Sequence, residues 1–417
     1  MLDQSQKQAV DNISRLQSRV YLLIGAGGSG KTFTIQHLLT QLWDSPDNNI
    51  LNDTTFLAAP TGKAAKVIND AFELAGFEVE NEAKTIHRLL EYNPGTGWGL
   101  NRFFPLEASL VILDEASMVD SALLSRVVDA LPEGCVLILV GDDAQLPPVA
   151  PGQPFTDLIK CGPQEIINRL ATNHRQAAGS LIADGCLKIL AGQAMTFGKP
   201  GENTLGGVLQ DDMFFIERDN KEDIPETVTD ICRPWHEQGL DYTVLAPQKT
   251  GVVGVDAMNK HLQEQLNPAS EGKEEIKVAW LTLREGDKVL QTRNNYDLGV
   301  FNGFTGIITG ISNGLIVVNF DGQHVYYEEI KDIKDLTLGY CMTIHKSQGS
   351  QFQYGVLVCH SSHYYMWSRS ILYTGVSRFR QELHVVGDRK AMKRGLSNVV
   401  SGERQTFLKL SLAGEAV

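Results

Sequence analysis

Eight residues, Gly25-Ala26-Gly27-Gly28-Ser29-Gly30-Lys31-Thr32, have the types and spacing to hold phosphate. Glycines let backbone N–H groups turn inward around phosphate oxygens where a Cβ would stand in the way. At this spacing Lys31 reaches the β- and γ-phosphates, and the Thr32 hydroxyl can bind Mg²⁺. An apolar run, Val20–Ile24, leads in and a helical pattern from Lys31 leads out, so the helix N-terminus adds partial positive charge. A nucleoside triphosphate is therefore the expected ligand.

Other residues could supply the rest of the chemistry. Asp114-Glu115 follows the apolar run Leu110–Leu113. Asp114 suits Mg²⁺ bound through water, and Glu115 suits a base that polarises water for attack on the γ-phosphate. Adjacent carboxylates on a strand point opposite ways, so Glu115 is placed at the strand's end. Gln145, in Gly141-Asp142-Asp143-Ala144-Gln145, offers a neutral amide that could sense the γ-phosphate. Gln6 could read the N6/N7 edge of adenine; a solvated helix-surface glutamine is the alternative. Pro60-Thr61-Gly62-Lys63 is a strand-to-helix turn, where Thr61 and Lys63 could grip a phosphate. Lys63 and Lys66 could equally form a solvated helix face. Arg175 and Arg378, far along the chain, could stabilise charge on a transferred phosphoryl group or sit in surface ion pairs.

These residues need elements to hold them. The pattern predicts strands at Val20–Ile24, Thr55–Ala59, Leu110–Leu113 and Cys135–Val140, with helices from Lys31 and over Gly62–Phe72. Residues 92–106, rich in Gly, Pro and aromatics, read as a β-hairpin excursion. Its Trp98, Phe103 and Phe104 are expected to form a mini-core ahead of a stacking surface for bases. Pro147-Pro148 breaks regular structure, and a second α/β pattern follows. It has a helix around Leu181–Leu190, a loop over residues 195–225 and strands at Tyr242–Ala246 and Leu383–Val386. Residues 284–335 alternate apolar and polar, with turns at Asn302-Gly303, Asn313-Gly314 and Asp321-Gly322. That is the pattern of an inserted small β-barrel.

At 417 residues the chain exceeds one compact core. The polar start and the lack of a long apolar run predict no leader and no membrane span. Six widely spaced cysteines without a C-x-x-C pair read as thiols in a reducing compartment, so a cytoplasmic location is expected. A net charge of −13 weighs mildly against a polynucleotide partner without excluding a local basic groove.

Taken together and in this order, the blocks resemble those of superfamily 1 DNA helicases, in the RecD-like branch that includes the small Dda-type phage enzymes. The resemblance covers nearly the whole chain. Gln6 matches the Q motif, Gly25–Thr32 Walker A, Ala59–Ala65 motif Ia, and Thr85-Ile86-His87 the short T-x-H block. Asp114-Glu115 matches Walker B, and Gly141 through Gln145, followed by Leu146-Pro147-Pro148-Val149, matches motif III. Arg175 matches motif IV, Thr343–Gly349 motif V, and Arg378 motif VI with Tyr373 upstream. Gln351 stands where the family usually has a ribose-contacting glutamate, and Phe379 where it has a small residue.

The resemblance implies an α/β fold of two RecA-like P-loop domains with ATP and Mg²⁺ between them and single-stranded DNA across their tops. It implies a pin at 92–106 carrying Phe103 and an inserted SH3-like β-barrel. The expected boundaries are 1–164, 165–250, 251–336 and 337–417. Lys31, Glu115, Gln145, Arg175 and Arg378 carry the implied hydrolysis. Pro60, Thr61, Lys63, Thr85, His87, Phe103, Thr343 and His345 carry the implied DNA contacts. The expected protein is a monomer that moves 5′→3′ on single strands and separates duplexes at junctions. Single-strand-binding, replication or recombination proteins are its expected partners.

Overall fold

The computed structural model describes residues 1–171, 179–199, 211–278, 281–399 and 406–412. The chain forms two compact units, Met1–Gln176 with Ser401–Val417, and Ala177–Val400.

In the first unit the strands are β1 (Val20–Ile24), β2 (Thr55–Ala59), β3 (Lys84–Thr85), β4 (Tyr92–Asn93), β5 (Gly97–Trp98), β6 (Leu110–Leu113), β7 (Val136–Gly141) and β8 (Ile167–Arg169). Six of them make one parallel sheet in the order β3-β2-β6-β7-β1-β8. Its central strands are unbroken apolar runs because both faces are covered. Tyr21 and Leu23 face one core with Ile35, Leu38 and Leu39, and Leu22 and Ile24 face another with Val127 and Phe155. The helices that matter for the site are α1 (Gln4–Ser14), α2 (Lys31–Trp43) and α3 (Gly62–Leu74).

The sheet corrects one boundary. β8 pairs with β1, so the first unit runs beyond residue 164. The end of the chain also belongs to it rather than to the second α/β unit: helix Phe407–Leu412 packs on helix Pro154–Cys161, with the Thr406 hydroxyl bonded to the buried Asp157 carboxylate.

The second unit contains β9 (Met213–Glu217), β10 (Tyr242–Ala246), β11 (Glu275–Val278), β12 (Leu281–Arg284), β13 (Lys288–Gln291), β14 (Thr305–Ser312), β15 (Leu315–Phe320), β16 (Gln323–Tyr327), β17 (Leu336–Leu338), β18 (Cys341–Thr343), β19 (Phe352–Cys359) and β20 (Phe379–Gly387). A parallel sheet runs β18-β10-β19-β20-β9. β9 lies inside the segment expected to be loop. It is an edge strand flanked by Asp211-Asp212 and Asp219-Asn220, and those polar flanks hide its short apolar run.

The inserted region forms a five-stranded antiparallel sheet, β16-β15-β14-β13-β17. Two of its expected turns have both central residues left-handed, Asn313-Gly314 (φ 51° and 85°) and Asp321-Gly322 (φ 51° and 92°). That is the hairpin geometry Asn-Gly and Asp-Gly favour. Its core is not separate: Ile316, Val318 and Phe320 belong to one buried cluster with Val244, Val356 and Val386 of the parallel sheet.

A polar network fixes this join. Asp287 is fully buried and accepts hydrogen bonds from Asn267 Nδ2 (2.7 Å), the Arg284 N–H (2.8 Å), the Tyr340 hydroxyl (3.0 Å) and Gln263 Nε2. Next to it, the Lys288 ammonium bonds the Tyr242 carbonyl and lies 4.0 Å from the centre of the Tyr242 ring. Burial raises the Asp287 pKa, and the hydrogen bonds oppose that rise. Asp287→Ala strands several buried donors, so calorimetry should show the second unit's transition destabilised by about 3 kcal/mol or more.

Candidate active site

The phosphate loop is shaped by backbone contacts. The Gly25 N–H donates to the Gly141 carbonyl (3.0 Å) and the Leu170 N–H to the Ile24 carbonyl (2.8 Å), so β1 is held between β7 and β8 where the loop begins. A Cβ on Gly25 would stand 2.1 Å from Ser29 Oγ. Gly28 (φ 93°) and Gly30 (φ 78°) occupy the left-handed region that glycine tolerates. Gly30 starts α2 without a side-chain cap, so the first helical N–H groups face the loop. Lys31 Nζ folds across the loop onto the carbonyls of Gly25 (2.8 Å) and Ala26 (3.3 Å). Ser29 is buried, and among the described residues its Oγ has no hydrogen-bond partner. Ala26, Gly27 and Thr32 complete the turn. An uncapped helix, a displaceable ammonium and an orphaned hydroxyl suit a triphosphate.

Gln6 is 1% exposed and ties α1 to this loop. Its Oε1 accepts the Asp3 N–H (3.0 Å), completing a capping box, and its Nε2 donates to the Ser29 carbonyl (3.2 Å). It is therefore neither a surface residue nor an unoccupied amide.

The central strands of the sheet deliver their candidates to the same carboxyl edge. Beyond β6, Asp114 donates its N–H to Ala58 O (2.9 Å) and accepts the Glu115 N–H on Oδ1 (2.8 Å). Glu115 has φ 51° and ψ 38°, a rare conformation for a residue with a Cβ. This left-handed turn ends the alternation that would have sent the two carboxylates to opposite faces. Beyond β7, buried Asp142 accepts the Ala144 N–H (3.1 Å) and Gln145 Nε2 (3.2 Å). Gln145 Oε1 is then left as a buried acceptor without a partner among the described residues. Beyond β8 the chain enters residues 172–178, so Arg175 lies outside the described residues.

The three threonines implied as DNA contacts share one local device. Thr61, Thr85 and Thr343 stand at the carboxyl ends of β2, β3 and β18, and each Oγ1 accepts the N–H three residues on, at 3.2 Å. Thr85 is buried, while Thr61 and Thr343 are half-exposed, as are Pro60 and Lys63. His87 stacks on Trp98 (centroids 5.3 Å) and meets Tyr92 edge-on (5.5 Å), which anchors the β4–β5 hairpin to the sheet edge. Burial lowers the pKa of both His87 and His345, which favours the neutral imidazole.

The hairpin corrects the aromatic assignment. Trp98 packs, but Phe103 and Phe104 are 80% and 69% exposed, at a second tight turn bridged by Asn101 and Phe104. The mini-core is Trp98 with Tyr92 and His87, and the two phenylalanines project into solvent.

In the second unit the candidates divide between opposite ends of the sheet. Thr343 and His345 lie at the carboxyl end of β18, whereas Gln351 and Arg378 immediately precede β19 and β20. The Phe352 N–H bonds the Arg378 carbonyl (2.9 Å), which puts the two side by side. Arg378 is 2% exposed, and its guanidinium donates to the carbonyls of Thr374 (3.2 Å) and Ser350 (3.2 Å) and to Ser377 Oγ (3.1 Å). Arg380, absent from the sequence-derived candidates, donates to Gln351 Oε1.

Three stretches of the chain match known family models. Residues 1–199 match the family model for an AAA domain, 258–320 that for the ATP-dependent RecD-like DNA helicase SH3 domain, and 338–386 that for the UvrD-like helicase C-terminal domain. The ATP-dependent RecD2 DNA helicase of Deinococcus radiodurans is 32% identical over 94% of this chain and 50% of its own length. The RecBCD enzyme subunit RecD of Mycobacterium tuberculosis is 29% identical over 92% of this chain and 69% of its own. The chain thus spans about half the length of the first relative and about two thirds of the second. A Pif1 helicase structure, described for unwinding at forked double-stranded DNA, superposes with a TM-score of 0.57 at 21% identity, covering 95% of this chain and 94% of that one, a likeness of fold.

The two parallel sheets, the phosphate loop and the inserted SH3-type sheet make up a helicase-like fold. The relatives that it matches along nearly its whole length are RecD-like proteins.

Glu115→Gln removes the only base in the Asp114-Glu115 pair that the left-handed turn re-aims, and keeps the side chain's size. Triphosphate hydrolysis should fall by about 10²- to 10⁴-fold while nucleotide affinity, read by fluorescent-analogue titration, stays close to wild type.

Proposed function

We propose that this chain is an ATP-driven DNA helicase that translocates 5′→3′ on single-stranded DNA and separates duplex strands at junctions. The observation that carries this reading is the single sheet edge on which hydrolytic and strand-gripping candidates stand together: Lys31, Glu115 and Gln145 beside Thr61, Lys63 and His87. A nucleotide-driven change at β1, β6 or β7 has only a few strand spacings to cross before it reaches β2 and β3, each spacing about 4.8 Å.

In this mechanism Lys31 leaves the Gly25 and Ala26 carbonyls to take the β- and γ-phosphates. Gln145 Oε1 accepts a hydrogen bond from the attacking water, and Glu115 takes its proton. Thr32 and Asp114 are the residues that would hold Mg²⁺, whose charge would offset that of the phosphates. Arg175 and Arg378 neutralise charge on the transferred phosphoryl group, with Arg378 aimed by the carbonyls of Ser350 and Thr374. Gln351, held by Arg380, meets the ribose, and Gln6 carries contact with adenine to the loop through Ser29. Thr61, Lys63, Thr343 and His345 alternate their grip on the strand. Thr85 contributes by fixing His87 through its helix cap.

The exposed Phe103 and Phe104 favour unwinding over a translocase that moves without separating strands. We further propose a monomer acting in the cytoplasm on single strands and junctions, beside proteins of replication, recombination or repair. Among the described residues no helix is long and apolar enough to cross a membrane.

Two measurements test this reading. Duplexes carrying a 5′ tail should be unwound and those with only a 3′ tail should not; equal or reversed preference contradicts the polarity. Phe103→Ala/Phe104→Ala should lose most unwinding while keeping DNA-stimulated ATP hydrolysis, and unimpaired unwinding would remove the pin from the mechanism.

A further inference from the structure

The carboxyl edge of the second unit's sheet carries cations in strand order. Beyond β18 stands Lys346, beyond β10 exposed Lys249, and beyond β20 the helix Arg389–Ser397, which presents Lys390 and Lys393 to solvent and Arg394 half-buried. The segment beyond β19, Ser361–Met366, fills the gap with an aromatic pair. Tyr364 lies under Lys390 (5.6 Å) and Arg394 (5.1 Å), and Tyr365 stands edge-on to it, 93% exposed.

These features form a continuous surface within the unit. The His363 ring lies against Gly251, so the tyrosine segment is seated on the loop that carries Lys249. Burial lowers the Lys346 pKa, and the nearby Lys249 adds to that shift. The distance spanned from β18 to β20 is about 14 Å, three strand spacings.

Two acidic groups at this edge are already engaged. Glu217 is taken by Arg389, at 3.0 Å, and Asp388 is buried, capping the helix and accepting the Ser361 N–H. Among the described residues no carboxylate lies in ion-pair range of Lys390, Lys393 or Arg394, and Arg394 Nε is buried without a partner. On a chain of net charge −13, such a run of unneutralised cations around an exposed ring is out of keeping with the overall charge.

We infer that Tyr365, Lys390, Lys393 and Arg394 form a second single-strand contact, which extends the track from Thr343 and His345 across the sheet edge, with backbone phosphates on the cations and a base stacked on Tyr365. An acidic peptide would also meet the cations, but it has no use for a bare ring beside them, and it does not share an edge with a strand-gripping loop. This inference rests on the single-strand reading proposed above.

The test is fluorescence anisotropy of labelled single-stranded DNA with the full chain, titrated over salt concentration, with thermal midpoints checking that variants fold. Lys390→Ala/Lys393→Ala should reduce the slope of log affinity against log salt by about 1.4, near 0.7 for each phosphate no longer neutralised. Lys390→Arg/Lys393→Arg should restore it. Tyr365→Ala should weaken binding about tenfold with the slope unchanged. Variants that bind with wild-type affinity and slope overturn this inference and leave the helicase reading intact. A wild-type chain that does not bind single strands overturns both. Unchanged DNA binding, together with polyglutamate binding abolished in the lysine variant, would reassign the patch to an acidic partner.

Discussion

The backbone bond from Gly25 to Gly141 is the constraint on which the first unit's chemistry depends. It continues the β1–β7 ladder one step past the strand, so the phosphate loop begins at a height fixed by its neighbour. The same ladder, carried through β6 and β2, sets where Asp114, Gln145 and Thr61 emerge. Each leaves a strand of one sheet, and parallel pairing brings all the ends to one side. No long-range side-chain contact is needed to gather them.

The second unit solves a different problem. Its Thr343 and His345 stand at one end of the sheet and its Gln351 and Arg378 at the other, joined by residues 344–350. A displacement felt at Arg378 therefore has a short path to the proposed strand-gripping loop: Arg378 hydrogen-bonds the Ser350 carbonyl, and Ser350 closes that same segment. The SH3-type sheet shares this unit's core and is pinned by Asp287 and Lys288, so it moves with the unit that carries Arg378.

Much of this was legible in the sequence where chemistry restricts residue type. Gly28 and Gly30 are needed by left-handed backbone, Asn313-Gly314 and Asp321-Gly322 by hairpin turns, and the unbroken runs before Gly25, Asp114 and Gly141 by a sheet covered on both sides. What stayed hidden depends on partners distant in the chain. Nothing local separates Trp98, which finds His87, from Phe103 and Phe104, which find solvent. β9 is specified by its place beside β20 more than by its five residues. The tie of Gln6 to the phosphate loop and the role of Arg378 as a buried donor follow from carbonyls at Ser29 and Ser350 that no spacing rule points to.

The central claim is that hydrolysis and strand binding share one edge and so are coupled. Steady-state ATP hydrolysis by the full chain, measured without DNA and with increasing single-stranded DNA, tests it most directly. The account predicts a rate that rises with DNA and saturates, and that Lys31→Ala abolishes at every DNA concentration. A rate indifferent to single strands, with Lys31 intact, would contradict it.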